Sequence, residues 1–191
     1  MIPQLITAPS VLPVSLAEVK SHLRIDHALD DALLTVYLTA AINYIDGFSG
    51  ILGRALCTQT WQQRYSEWGD LRLELLPVSS IAQIAYMPES GAEVTVSAAN
   101  YTLDSDEFGS FVRFSENYTF PALSTDPEPI RVQYIAGYGS AASVPSPIKA
   151  AIMILTGHFY HQTGAPTQSG LSDSIFRLMD LVLAPYKRAK F

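Results

Sequence analysis

Between Asp30 and Gly50 the sequence reads DDALLTVYLTAAINYIDGFSG, with apolar residues at Leu33, Leu34, Tyr37, Leu38, Ala41, Ile42, Ile45 and Phe48. Steps of one, three and four wind these side chains onto one broad stripe of a helix. Asp30 or Asp31 suits the start, because an acid both caps and complements the positive end of the helix dipole. Gly50 and Gly53 offer the stop. So wide a stripe must be covered by other elements, and the chain supplies three more helical segments to do it.

The first lies just upstream. In SLAEVKSHLRID, Ser15 and Glu18 have the spacing of a capping box, and Leu16, Val19 and Leu23 share a face with His22 beside it. This predicts a short helix from about Leu16 to Arg24. The other two lie downstream. Pro147, in a favoured first-turn position, opens a helix to about Gln162 that is apolar nearly all round at Ala150 to Leu155. After a Gly164–Gly170 loop, Ser172 or Asp173 caps a last helix with Ile175, Leu178, Met179, Val182 and Leu183 inward, ended by Pro185.

What separates the two helical pairs reads as strand. Thr58 to Tyr65 alternates and is rich in β-branched and aromatic residues. Leu71 to Leu75, Ile81 to Tyr86 (Ile81 and Ile84 inward), Val94 to Val96, Tyr101 to Leu103, Phe111 to Phe114 and Ile130 to Ile135 follow, divided by turns rich in Gly and Pro. No helix-length pattern interrupts them, so a small antiparallel sheet or open barrel is expected and a parallel α/β sheet is not. Residues 1–14, with Pro3, Pro9 and Pro13, run extended. The predicted class is α+β: a helical core of four helices interrupted by an antiparallel β insertion. Its parts are residues 1–56 (arm and first helices), 57–136 (β insertion) and 137–191 (last helices and tail).

At 48% hydrophobic and 16% charged residues, the 191-residue chain has material for a real core and little charge to solvate a monomer's surface. Its net charge of −6 does not suit a protein that wraps nucleic acid. Charge is also uneven. Eight acids stand against Arg113 alone from Glu89 to Glu128, while Lys187, Arg188 and Lys190 crowd the last five positions. Cys57 is the single cysteine, which excludes an internal disulfide and any Cys-rich metal site. With no signal-peptide pattern and no apolar run long enough to span a bilayer, a soluble protein made in a reducing compartment is expected.

Chemistry-bearing residues are few. His158 and His161 share a helix face, but no third or fourth ligand is evident. DSDEFGS, from Asp104, starts like a calcium loop, yet Ser115 stands where the closing Glu would be, so a hairpin turn is the better reading. The Gly137-Tyr138-Gly139 segment lacks the rest of a dinucleotide fingerprint and reads as a turn. Cys57 has no basic partner in sequence and reads as a structural thiol. No residue is assigned a catalytic, cofactor-binding or metal-binding role, and the chain is read as a non-enzyme.

The run PVSLAEVKSHLRID, then DDALLTVYLTAAINYIDGFSG, then Leu-Cys-Thr-Gln-Thr-Trp, resembles the head-tail connector proteins of long-tailed bacteriophages and related gene-transfer particles. The later IRVQYIAGYGSAASVPSPIKAAIMILTGHFY is similar to that family's second block, and LVLAPYKR to its usual end. The resemblance implies a structural virion adaptor at the head–tail interface, made in the bacterial host cytoplasm. It would form a ring, twelvefold in the particle, under the portal protein. Such a ring extends the DNA channel without sequence-specific or membrane binding, and presents a surface for the next tail-completion protein (a stopper or terminator). The tail residues Tyr186, Lys187, Arg188, Lys190 and Phe191 are the expected portal-docking set, and no cofactor is implied. The competing reading is a monomeric small-molecule or glycan binding module built on the β insertion, with a pocket walled by Trp61, Trp68 or Tyr86. A hydrolase using His158 or His161 ranks last.

Overall fold

The computed structural model describes residues 2–161 and 169–187. It divides the chain into two compact units, one of strands (Met1–Ser10 and Thr58–Tyr138) and one of helices (Val11–Cys57 and Gly139–Phe191). The class is α+β, with all but the first strand lying between an N-terminal and a C-terminal pair of helices.

In the helical unit, α1 spans Leu16–Leu23, α2 Asp31–Ile45, α3 Ser146–His161 and α4 Ser169–Leu183. The Ser15 capping box forms as its spacing predicts. The Glu18 amide donates to Ser15 Oγ at 3.2 Å, and the Ser15 amide donates to Glu18 Oε2 at 2.7 Å. Arg24 closes α1 in the left-handed conformation, φ 58°. On α2 the buried stripe is Leu34, Leu38, Ala41, Ile42 and Ile45.

Three expectations for α2 need correction. Leu33 is exposed and Tyr37 only half-buried, so the inward stripe is narrower than the apolar pattern. The helix stops at Ile45, ahead of both expected glycines. Asp46 leaves the helix in extended conformation, its carboxylate accepts from the Leu56 amide at 2.8 Å, and Gly47 turns the chain at φ 81°. Asp30 does stand at the α2 start but makes no capping bond; its carboxylate accepts the Tyr160 hydroxyl at 2.7 Å.

Helix α3 buries Ile148, Ala151, Ile152, Leu155, Thr156 and Gly157. Thr156 is tolerated there because its hydroxyl donates to the Ile152 carbonyl at 2.8 Å. A Cβ on Gly157 would lie 2.8 Å from Leu23 Cδ2, so the missing side chain lets α1 approach α3 closely. Helix α4 begins at Ser169, which puts Ser172 and Asp173 inside it, where they cannot be its N-cap. Met179 and Leu183 are buried, but Leu178, expected inward, is 47% exposed. Part of the expected Gly164–Gly170 loop lies outside the described residues.

The strand unit holds two antiparallel sheets rather than one. Strands β1 (Gln4–Thr7), β2 (Gln59–Tyr65), β4 (Val78–Tyr86), β5 (Val94–Thr95) and β8 (Ile130–Ala136) form the first, in the order β1-β2-β8-β4-β5. Strands β3 (Leu71–Arg72), β6 (Tyr101–Asp106) and β7 (Gly109–Phe114) form the second, in the order β3-β7-β6. The register of β2 on β8 runs unbroken from Gln59↔Ala136 to Tyr65↔Ile130. Both strands therefore keep strict alternation, with Trp61 and Tyr65 opposite Tyr134 and Ile130 on the buried face. Two register shifts in β4, between Val78 and Ser80 and between Ile81 and Gln83, break its alternation. Ile84 is fully buried as expected, while Ile81 is only half-buried.

The Trp61 indole and the buried glutamines of β2 are hydrogen-bonded. Trp61 Nε1 donates to Gln59 Oε1 at 3.0 Å. The Gln63 amide donates to the Arg72 carbonyl at 3.1 Å and accepts from the Glu74 amide at 3.0 Å, which ties β2 to the segment after β3. Among the described residues no helix is long and apolar enough to cross a membrane.

Candidate protein-docking site

The docking set expected from the sequence lies at the end of α4. Ala184–Tyr186 forms a single 3-10 turn, with Pro185 held where its missing N–H costs nothing. Arg54 Nε donates to the Tyr186 carbonyl at 2.6 Å. Lys187 folds back so that its ammonium pairs with Asp180 at 2.9 Å, and its amide donates to the Leu183 carbonyl at 3.1 Å. Tyr186 is half-buried and Lys187 exposed. Arg188, Lys190 and Phe191 lie outside the described residues. The structure thus fixes where the basic tail leaves the helical unit.

The residues weighed for other chemistry are occupied in ordinary ways. His158 packs near the Phe176 ring, centroids 6.3 Å apart, and His161 against Tyr160 at 5.4 Å. Among the described residues no group of three His, Cys, Asp or Glu could hold a metal ion. Cys57 is buried, and desolvation with the nearby Asp46 charge pushes its thiol pKa up, away from a reactive thiolate. DSDEFGS is the turn of the β6–β7 hairpin, pairing Asp106 with Gly109. Its acids face arginines: Asp104 pairs with Arg113 at 2.9 Å and Asp106 with Arg72 at 2.6 Å. Gly137 and Gly139 take φ 123° and 107° in the loop after β8, as turn glycines do.

The aromatic residues that a binding pocket would need are packed on one another. Trp61 is 93% buried in the sheet. Trp68 stacks on Phe120 at 5.5 Å, meets Tyr86, Phe114 and Tyr118 edge-on, and donates its indole N–H to the Pro121 carbonyl at 2.9 Å. This five-ring cluster gathers residues from β4, β7 and two loops, and no local pattern in the sequence announces it. An open depression of about 570 Å³ on the strand unit is walled by Arg64, Asp126, Glu128 and Arg131 rather than by those rings.

Exposed apolar surface is the more informative feature. Leu29, Leu33, Val36 and Tyr44 are 90%, 37%, 62% and 42% exposed along α2 and its lead-in turn. Between Asp31 and Asp46 the helix carries no charged side chain. A solvated helix face ordinarily mixes charges, whereas the centre of a protein interface is depleted of them.

The described residues thus form an α+β fold with a two-sheet strand unit and an uncharged exposed helix face. Residues 13–85 match the family model described as phage gp6-like head-tail connector protein. The match takes in α1, α2, β2, β3 and most of β4, so the resemblance to head-tail connectors expected from the sequence is shown. Among solved structures, the whole chain is similar to one described as the neck of an empty GTA particle computed with C6 symmetry. The TM-score is 0.76 at 22% identity, over 100% of this chain and 97% of that one. It is similar too to a chain in the virion of a native gene transfer agent particle (TM-score 0.74) and to one in the neck of a native GTA particle computed with C12 symmetry (TM-score 0.73). Both are 22% identical with the same coverage. These likenesses show the fold. No curated protein matches the chain.

Proposed function

We propose that this protein is a structural virion protein: an adaptor at the head–tail interface that forms a ring under the portal, extends the DNA channel and offers a surface to the next tail-completion protein. The observation that carries the reading is the end-to-end fold likeness to chains of gene-transfer-particle necks, joined to the connector-family match over residues 13–85. Twelve copies in the ring is the number favoured by the C12 symmetry at which one of those necks was computed. Production in the cytoplasm of a bacterial host goes with this reading.

The chemistry is that of contact without catalysis. Closing a ring needs one face of a subunit to meet a different face of the next. Net charge of −6 suits a channel through which DNA slides, since like charge discourages phosphate contacts. Portal docking falls to the basic-aromatic tail, Tyr186, Lys187, Arg188, Lys190 and Phe191. A short terminal segment that settles on a pre-built partner can grip it without remodelling the fold. Lys187 would exchange Asp180, an exposed pair of small worth, for an acid on the portal.

Ending the chain after Pro185 tests the docking assignment. The expected result is lost attachment to portal-bearing capsids with unchanged circular dichroism, because the four helices keep their packing. Attachment at the full-length level would remove the tail from the docking role.

A further inference from the structure

After α2 the chain from Asp46 to Cys57 belongs to no helix or strand, yet it is tied down at close intervals. The Leu56 amide donates to Asp46 Oδ1 at 2.8 Å, the Gly47 amide to the Arg54 carbonyl at 2.7 Å, and the Ile51 amide to the Tyr44 carbonyl at 2.9 Å. Gly50 lies so close to the end of α2 that a Cβ there would collide with the carbonyl oxygens of Ile45 and Asp46. Leu52, Ala55 and Leu56 are buried. Arg54 therefore projects from a loop that is held like a regular element. It is half-buried, and among the described residues no acid pairs with its guanidinium. Its Nε instead donates to the Tyr186 carbonyl at 2.6 Å, across 132 residues of sequence.

The far end of that bond is the root of the basic tail. The other described ties of this root come from α4 and its own turn. The Lys187 amide donates to the Leu183 and Ala184 carbonyls, at 3.1 and 3.3 Å, and the Lys187 ammonium pairs with Asp180. Asp180 is 66% exposed, and such a surface pair holds little. A charge-assisted bond from a half-buried guanidinium holds more. We propose that Arg54 is a positioning residue for portal docking: by holding the Tyr186 carbonyl it fixes the direction in which Lys187 and the residues after it leave the helical unit. The acceptor is backbone, so the hold does not use the Tyr186 ring, and Lys187 can exchange Asp180 for an acid on the portal while the root stays in place. A root already fixed has less freedom to lose on docking. The inference rests on the tail-docking reading and names the residue that sets its geometry.

Arg54→Met keeps an aliphatic stem and removes the donor, whereas Arg54→Lys keeps a charged donor. Both are expected to retain the wild-type circular dichroism. In the free protein, trypsin cleavage after Lys187, followed by mass, should be severalfold faster in Arg54→Met and return towards the wild-type rate in Arg54→Lys. Attachment to portal-bearing capsids should fall severalfold in Arg54→Met and recover in Arg54→Lys. In chains ended after Pro185, Arg54→Met should lower attachment no further. A measurement on the wild-type chain stands beside these should a variant not fold: the Arg54 Hε proton is expected to exchange with solvent severalfold more slowly than that of the exposed Arg64. Equal exchange, or cleavage unmoved by Arg54→Met, overturns the tether. Faster cleavage with full attachment, where the chain ended after Pro185 does not attach, overturns the positioning role and leaves tail docking standing. Attachment of the chain ended after Pro185 at the full-length level defeats the docking reading, and the positioning role with it, even where cleavage and exchange still report the tether.

Discussion

Asp106 sits at the β6–β7 turn with both carboxylate oxygens taken by the Arg72 guanidinium, at 3.0 and 2.6 Å, and with the Phe108 amide donating at 2.9 Å. The Arg72 bonds first, then the backbone amides, hold its pKa down at about 2, against an ordinary 3.8. A folded value below the unfolded one means that this pair stabilises the fold above the ordinary value and loses its effect as pH falls through about 2. A carboxyl NMR titration should therefore find Asp106 near 2, and Arg72→Gln should return it towards 3.8; a midpoint unmoved by that substitution would contradict the assigned cause. The hairpin turn was legible from DSDEFGS. Its partner was not, because Arg72 lies 34 residues upstream and only the β3–β7 pairing brings it over. The Ser15–Glu18 box is the opposite case, wholly local and so readable in advance. Ser15→Ala should lower stability by about 1 kcal/mol in denaturant unfolding.

At the scale of elements, helices were placed to within a few residues and strands less well. Helical periodicity survives in α2 because Leu34, Leu38, Ala41 and Ile42 really do share a buried face. What the pattern concealed is that apolar residues beyond that face belong to a second, exposed stripe. Hydrophobicity alone does not say which stripe a core covers and which is left to solvent. Strand β4 defeated alternation through its two bulges, and division into two sheets depends on pairings between distant segments that no local window contains. The approach of α1 to α3 at Gly157 gives an element-scale prediction. Gly157→Val should cost about 1–3 kcal/mol by overpacking against Leu23. Gly157→Ala should be close to neutral, since the gain in helix propensity offsets a small shift of the flexible Leu23 end. Thermal unfolding of the two variants separates these outcomes, and equal, large losses would show that the helices cannot adjust.

For the whole molecule, the acidic run and the basic tail were visible as charge segregation, and the scarcity of charge pointed to covered surface. The expectation of a tail docking set could be followed only as far as Lys187, where the described chain ends against Asp180. The five-ring cluster was illegible for the same reason as Arg72: Trp68 and Tyr86 lie far in sequence from Phe114, Tyr118 and Phe120. Its filled geometry favours a structural role for the β insertion over a ligand pocket there. The proposed adaptor works by adding copies of itself to a portal. Mass measurement of the chain mixed with purified portal rings tests that most directly. A discrete complex carrying about one copy per portal subunit is the predicted result; a mixture in which portal and chain keep their separate masses at every ratio would contradict it.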